Sequence, residues 1–86
     1  MELVFSDSAK KELSGMPHDM RALFLVHLEK IYSRPPRKHM KYGIPCHVEK
    51  VNRHARIIYD TGEDRIIVLH CFASYKEYEH WYSSYK

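Results

Sequence analysis

The residues best suited to chemistry in this 86-residue chain are cations gathered in its middle third. From Lys30 to Arg56 there are eight Lys or Arg against one acid, Glu49, so this segment carries +7 and the remainder −4 within a total of +3. The eight are Lys30, Arg34, Arg37, Lys38, Lys41, Lys50, Arg53 and Arg56. This segregation favours a polyanionic partner, either nucleic acid or an acidic protein, over a scattered solvated surface.

Two of these cations fall in adjacent predicted strands that are separated by the short loop Asn52-Arg53-His54. Burying Arg56 against helices would be costly, so we expect it to face the open side of the sheet. A three-residue loop pairs Lys50 with Arg56, whereas a two-residue loop pairs Glu49 with it. We favour Lys50, because Val51 then enters the core and Glu49 lies at an edge of the helix-covered face.

A lysine and an arginine on one groove have the chemistry of a phosphate site. Arginine supplies a planar bidentate fork and lysine a mobile point charge. Such a pair can also stabilise the added negative charge of a phosphorane-like transition state. The alternative is that both are ordinary solvated strand residues, and the pattern alone does not choose between the two.

The pairs Cys46-His47 and His70-Cys71 raise the question of a zinc site. Side chains of neighbouring residues on a strand point to opposite faces, so neither pair can share one ion. We therefore expect no metal and no cofactor. The opening residues lack the basic start and long apolar run of a signal peptide, which favours free thiols and a cytoplasmic location.

The length and composition favour one domain spanning residues 1–86, because so short a chain cannot sustain two cores. The hydrophobic content of 44% with 29% charged residues is that of a folded globule. No segment approaches the roughly 20 apolar residues that span a bilayer, so we expect no membrane partner.

The apolar periodicity predicts seven elements. They are a strand at 2–5, a helix from the Ser6-Asp7-Ser8 cap through Leu13, a helix from His18 to about Tyr32, strands at 46–51, 55–60 and 65–72, and a helix from Ser74 to Tyr85. This order predicts an α+β fold. We expect a small, largely antiparallel sheet of about four strands, its helices on one face and its other face partly open.

The chain resembles the RelE/ParE superfamily of bacterial and archaeal toxins, and the RelE-type ribosome-dependent mRNA interferases in particular. The opening 4–13, Val-Phe-Ser-Asp-Ser-Ala-Lys-Lys-Glu-Leu, is similar to the first strand and helix of that family. The run Ala55-Arg56-Ile57-Ile58-Tyr59 is similar to the family's Tyr-Arg-Val-Ile-Tyr strand, and an acidic turn and the apolar strand 66–69 follow it.

The resemblance implies a type II toxin that acts as a metal-independent endoribonuclease, cutting mRNA in the ribosomal A site by attack of a ribose 2′-hydroxyl. Arg56 matches the arginine that contacts the scissile phosphate, and Lys50 falls near a basic position that holds phosphate or takes the proton. Tyr75 and Tyr78 are candidates for stacking on a base or donating a proton. The remaining predicted RNA-binding residues are Lys38, Lys41, Arg53, His54 and Lys76.

The chain departs from the family pattern after its last strand. Many relatives carry a His-Arg or Lys-Arg pair there, whereas this chain has Ala73-Ser74-Tyr75-Lys76. Lys76, His54 or His70 could substitute, although a histidine in an apolar strand is usually a hydrogen-bonded structural residue. Tyrosines at helical spacing are also more often packing surface than catalytic groups.

The partners implied by the resemblance are a cognate antitoxin, the ribosome and mRNA. Two alternatives share the same fold: a ParE-like inhibitor of gyrase, and an inactive RNA-binding or protein-binding module.

Overall fold

The structure is a computed structural model that describes residues 2–34 and 46–84. Within those ranges the order of elements matches the order predicted from the sequence. The elements are β1 (Glu2–Phe5), α1 (Asp7–Ser14), α2 (His18–Ser33), β2 (His47–Lys50), β3 (Arg56–Thr61), β4 (Arg65–Phe72) and α3 (Tyr75–Ser83).

The four strands form one mixed sheet in the order β1-β4-β3-β2. β2 and β4 run antiparallel to β3, and β1 runs parallel to β4. β4 is thus a central strand, as its apolar residues on both faces predict. The α+β fold class is confirmed.

Helices α1 and α2 cover one face of this sheet. α1 is capped by Ser6, whose hydroxyl accepts a hydrogen bond from the Ala9 amide at 3.0 Å. Phe24 and Leu28 of α2 are fully buried against Ile57 and other residues of the sheet. The main core therefore lies between the two N-terminal helices and this face.

The third helix lies on the opposite face, which differs from the expectation that all helices share one side. Tyr78, Trp81 and Tyr82 of α3 pack against a second cluster made of Cys46, Ile58 and Phe72. The physical reason is that β3 and β4 are apolar on both faces, so the second face also needs cover from water. Part of the expected open face is consequently occupied by α3.

Beyond the end of β1, the edge of β4 is completed by side chains of α1 and its cap. The Ser6 hydroxyl donates to the carbonyl of Leu69 at 2.7 Å, and the Glu12 carboxylate accepts from the amide of Cys71 at 2.8 Å. These bonds satisfy backbone groups that a longer β1 would otherwise pair.

Neither cysteine is in a disulfide: Cys46 and Cys71 are both free and buried, in the clusters on opposite faces of the sheet. No helix in the described part of the chain is long and apolar enough to cross a membrane.

Candidate active site

The predicted pair of cations meets at the end of the β2–β3 hairpin. The register pairs Lys50 with Arg56, which confirms the three-residue loop. Val51 is buried in the main core, also as expected. Lys50 and Arg56 therefore lie side by side on the face that carries α3.

The loop between these two residues is held by Asn52. Its side-chain oxygen accepts hydrogen bonds from the amides of His54 at 2.8 Å and Ala55 at 2.7 Å. The Val51 amide closes the turn on the Ala55 carbonyl at 3.0 Å. This local arrangement fixes the start of β3, and with it the position of Arg56.

The guanidinium of Arg56 is held from two sides. Its Nη1 donates to the carbonyls of Asn52 at 3.0 Å, Ala55 at 2.9 Å and, more weakly, Arg53 at 3.4 Å. Its central carbon lies 5.3 Å from the ring centroid of Tyr75 and 5.5 Å from that of Tyr78, within cation–π range. Across residues 2–34 and 46–84 it forms no ion pair, so its charge is available to an anion.

The two tyrosines are positioned by the first turn of α3. Ser74 caps this helix through a reciprocal capping box: its hydroxyl accepts from the Glu77 amide, and the Glu77 carboxylate accepts from the Ser74 amide. Tyr75 remains 44% exposed, whereas Tyr78 is half-buried and contacts Trp81 and Tyr82. Tyr75 thus offers the more accessible hydroxyl, and Tyr78 has a larger packing role.

The single acid of the basic stretch is turned away from this cluster. Glu49 lies on the α2 face, where its carboxylate contacts His27 Nδ1 at 2.7 Å and Lys30 Nζ at 3.2 Å. Glu49 is mostly buried, with 16% of its side chain exposed. The negative charge of Glu49 therefore lies next to side chains of α2 and away from the face that carries Lys50 and Arg56.

The other predicted residues are distributed unevenly. Arg53 and His54 are exposed on the hairpin loop next to Arg56, so the structure brings them into the same cluster. Lys76 is exposed on α3 but lines a cavity on the other flank of that helix. Lys38 and Lys41 lie outside the described residues.

His70 has the structural surroundings expected for a histidine in an apolar strand. Its Nδ1 lies 3.1 Å from the Glu12 carboxylate, and its ring stacks on Phe72 at 4.8 Å. Across the β3–β4 ladder His70 pairs with Ile58, whereas Arg56 pairs with Phe72. We therefore do not include His70 in the reacting centre.

The buried cysteines and Tyr59 are protonated groups that take no part in the site. Burial, and then the charge of Asp60, raises the pKa of Cys46 to about 11, and burial with the charge of Glu12 raises the pKa of Cys71 to about 12. Burial and the charge of Glu49 raise the pKa of Tyr59 to about 12. No group of His, Cys, Asp or Glu suited to a metal ion occurs within the described ranges.

Sequence reasoning missed the residues that support the cluster. Asn52 is predicted only as part of a loop, although Asn at the start of a short turn indicates a side-chain cap of this kind. The His27 partner of Glu49 lies 22 positions earlier, and no local pattern reveals such a pair.

Comparison with known proteins identifies the architecture. No family model matches the chain, and no curated protein matches it in sequence. Among solved structures, the RelBE toxin–antitoxin complex from E. coli matches with a TM-score of 0.70 at 20% identity, covering 80% of this chain and 90% of the other. The YoeB dimer from Staphylococcus aureus matches with a TM-score of 0.70 at 15% identity, covering 87% and 98%.

A third match is archaeal. The RelB–RelE antitoxin–toxin complex from Methanococcus jannaschii has a TM-score of 0.68 at 15% identity and covers 92% of this chain and 98% of the other. The fold and the cationic sheet face thus define a small α+β protein with a candidate anion site. Its architecture is that of the RelE and YoeB toxin structures, which confirms the predicted resemblance at the level of the fold.

Proposed function

We propose that the chain, as one RelE-like domain over residues 1–86, is the toxin of a type II toxin–antitoxin system and cuts mRNA on the ribosome. The observation that supports this most directly is the pairing of Lys50 with Arg56 beside Tyr75 and Tyr78 on one face of the sheet. The shared fold with toxin structures adds to it.

In the proposed reaction, the ribose 2′-oxygen attacks the adjacent phosphorus and the bond from phosphorus to the 5′-oxygen breaks. The 2′-hydroxyl proton passes to a base, and the leaving 5′-oxygen takes a proton from an acid. The products are a 2′,3′-cyclic phosphate and a 5′-hydroxyl, with no metal required.

The roles follow from how each group is held. One nitrogen of Arg56 is fixed by backbone carbonyls, which leaves its other N–H groups to meet phosphate oxygens as negative charge develops. Lys50 is exposed next to it and either holds phosphate or takes the 2′ proton. Tyr75 is the candidate that stacks on a base or protonates the leaving oxygen, and Arg53 and His54 extend the cationic surface.

The proposed partners are the ribosome with its mRNA and a cognate antitoxin that covers the cationic face. We expect the chain to act in the cytoplasm, where ribosomes are found.

The deciding experiment is inducible expression in bacteria with mapping of mRNA ends. We expect growth arrest with ribosome-dependent cuts, both lost in Arg56→Ala. Arg65→Ala is the matched control, because Arg65 is an exposed arginine at the far end of the sheet. If Arg56→Ala still arrested growth and cut mRNA, the site assignment would be wrong. Intact mRNA with blocked DNA supercoiling would instead support the ParE-like alternative, and no toxicity would support an inactive binding module.

A further inference from the structure

The cavity that Lys76 lines lies on the flank of α3 that faces away from Tyr75. It measures about 670 Å³, within the range of sites that hold small organic ligands. Its lining combines rings from β4 and α3, His70, Phe72 and Trp81, with the cationic or titratable side chains of Lys76 and His80. None of these groups except Lys76 belongs to the predicted RNA-binding set.

The rings form a platform. His70 stacks on Phe72 with centroids 4.8 Å apart and planes 13° from parallel, and Trp81 lies 5.8 Å from His70 and 6.0 Å from Phe72. The contact of His70 with Glu12 fixes the ring in this position. Phe72 is buried, so the accessible part of this aromatic cluster is formed by His70 and Trp81. Such a surface suits an unpaired nucleobase, since every base has a π face.

The rim of the cavity suits a phosphate. Lys76 and His80 are four residues apart on α3, so their side chains project from one side of the helix, and both are exposed. The acid that also lines the cavity, Glu77, accepts hydrogen bonds from the amide and hydroxyl of Ser74. The negative charge of Glu77 therefore lies at the N-terminus of α3.

The cavity and the candidate active site lie on opposite flanks of the first turn of α3. Phe72, which lines the cavity, pairs with Arg56 across the β3–β4 ladder, so the backbones that carry the two sites are one strand spacing of about 4.8 Å apart at that point. A nucleic-acid strand bound at Arg56 would reach this cavity by passing over the first turn of α3.

We propose that this cavity is a subsite for one unpaired nucleotide of single-stranded RNA, next to the nucleotides at the Arg56 site. The base stacks on His70 and Trp81, which Phe72 supports from the core, and its phosphate is met by Lys76 and His80. The inference rests on the proposed RNA-cleaving function, which it extends by a binding position outside the reacting centre.

Trp81 makes the test direct, because it is the one tryptophan of the chain. The probe is a mixed-sequence RNA hexamer with 2′-O-methyl groups, which binds but offers no 2′-hydroxyl for cleavage. We expect it to quench Trp81 fluorescence in a saturable manner. The double variant Lys76→Ala/His80→Ala should bind roughly tenfold more weakly, and its salt dependence should fall by about 0.7 in log–log slope for each phosphate that is no longer neutralised.

The matched control is Lys10→Ala/His18→Ala, which removes one exposed lysine and one exposed histidine from α1 and α2. It should bind the hexamer like the unmodified chain. Equal affinity of all three proteins, or binding of a fluorescently labelled hexamer without any change in Trp81 emission, would overturn the subsite.

Cleavage of unmodified mRNA on ribosomes, the substrate of the proposed nuclease, separates the two proposals. Quenching of Trp81 without cleavage leaves the subsite standing and refutes the nuclease. Cleavage without quenching, or with unchanged affinity in Lys76→Ala/His80→Ala, refutes the subsite and leaves the nuclease standing. A thermal melt of each variant confirms that the fold is retained.

Discussion

At the scale of single residues, Arg56 depends on the shape of its guanidinium as well as on its charge. The planar group donates to carbonyls of the hairpin loop and lies over both Tyr75 and Tyr78. Lysine would keep the charge but could not make the same set of contacts.

We therefore expect Arg56→Lys to lower the free energy of unfolding by about 1–2 kcal/mol, the sum of a cation–π contact and a hydrogen bond. Urea denaturation measures this change. Arg65→Lys, in an exposed position, should change stability by less than about 0.5 kcal/mol. Equal stability of the two variants would show that the contacts of Arg56 contribute nothing to the fold.

The residue-level prediction from sequence was accurate where a burial argument applied. An arginine cannot enter the α1–α2 core cheaply, which placed Arg56 on the other face, and the preference for burying Val51 in the core placed Lys50 beside it. The residues that hold the surrounding side chains in place could not be predicted in this way. The pairing of His70 with Glu12, 58 positions apart, depends on how α1 crosses β4, which no local pattern encodes.

At the scale of elements, Glu12 joins α1 to β4. One carboxylate oxygen accepts from the Cys71 amide, and the other contacts His70 Nδ1. Glu12→Gln keeps the size of the side chain but replaces one of these two acceptors with an NH2 donor.

We expect Glu12→Gln to destabilise the fold by about 1–3 kcal/mol, because a group in this partly buried junction loses its partner. For a domain of this size each kcal/mol corresponds to roughly 4–8 °C in Tm, so thermal unfolding resolves the effect. Glu63→Gln, in the exposed β3–β4 turn, is the control and should melt like the unmodified chain. A Tm equal to that control would argue against the link.

The position of α3 could not be predicted from the sequence, although its existence could. The spacing of Tyr75, Tyr78 and Tyr82 indicates a helix with an aromatic stripe. Strands β3 and β4, however, present apolar residues to both faces, so the pattern leaves two surfaces on which that stripe could pack. Because α1 and α2 pack on one face of the sheet, α3 can pack only on the other face.

The capping box of α3 gives a test of how firmly that helix is held. Ser74→Ala removes the side-chain acceptor of the Glu77 amide, a loss of about 1 kcal/mol for the helix. We expect faster hydrogen exchange along 75–83 and little change in the amides of β3 and β4. Ser83→Ala, exposed at the other end of α3, should leave exchange unchanged or slower, because alanine favours helix.

At the scale of the whole molecule, the asymmetric charge concerns binding and the buried core concerns stability. The cations that the sequence grouped between Lys30 and Arg56 divide in the structure: Lys30 contacts Glu49 on the α2 side, whereas Lys50 and Arg56 lie on the α3 side. The count of charges predicted a polyanion-binding surface but could not assign each lysine or arginine to a face of the sheet. That assignment required the strand register.

We expect the buried thiols of the core to lower the stability of the fold as the pH becomes alkaline. The pKa values of Cys46 and Cys71 are raised by burial to about 11 and about 12, from an ordinary value of 9.0. Between pH 9 and about pH 12 the thiols of the folded protein keep protons that the unfolded chain has lost. The free energy of unfolding must therefore fall as pH rises. At pH 7 both thiols are protonated in either state, and their full contribution is present.

We expect a Tm that these groups leave unchanged from pH 7 to about 8, and that decreases progressively from about pH 9 towards pH 12. In Cys71→Ala the slope of unfolding free energy against pH in that window should be shallower by up to about 1.4 kcal/mol per pH unit, the contribution of one proton. Ile66→Val is the matched control, because it also removes volume from the buried core but no titrating group. It should shift stability by a constant amount and keep the original slope, and a parallel decline in Cys71→Ala would mean that the thiol is not the group that titrates.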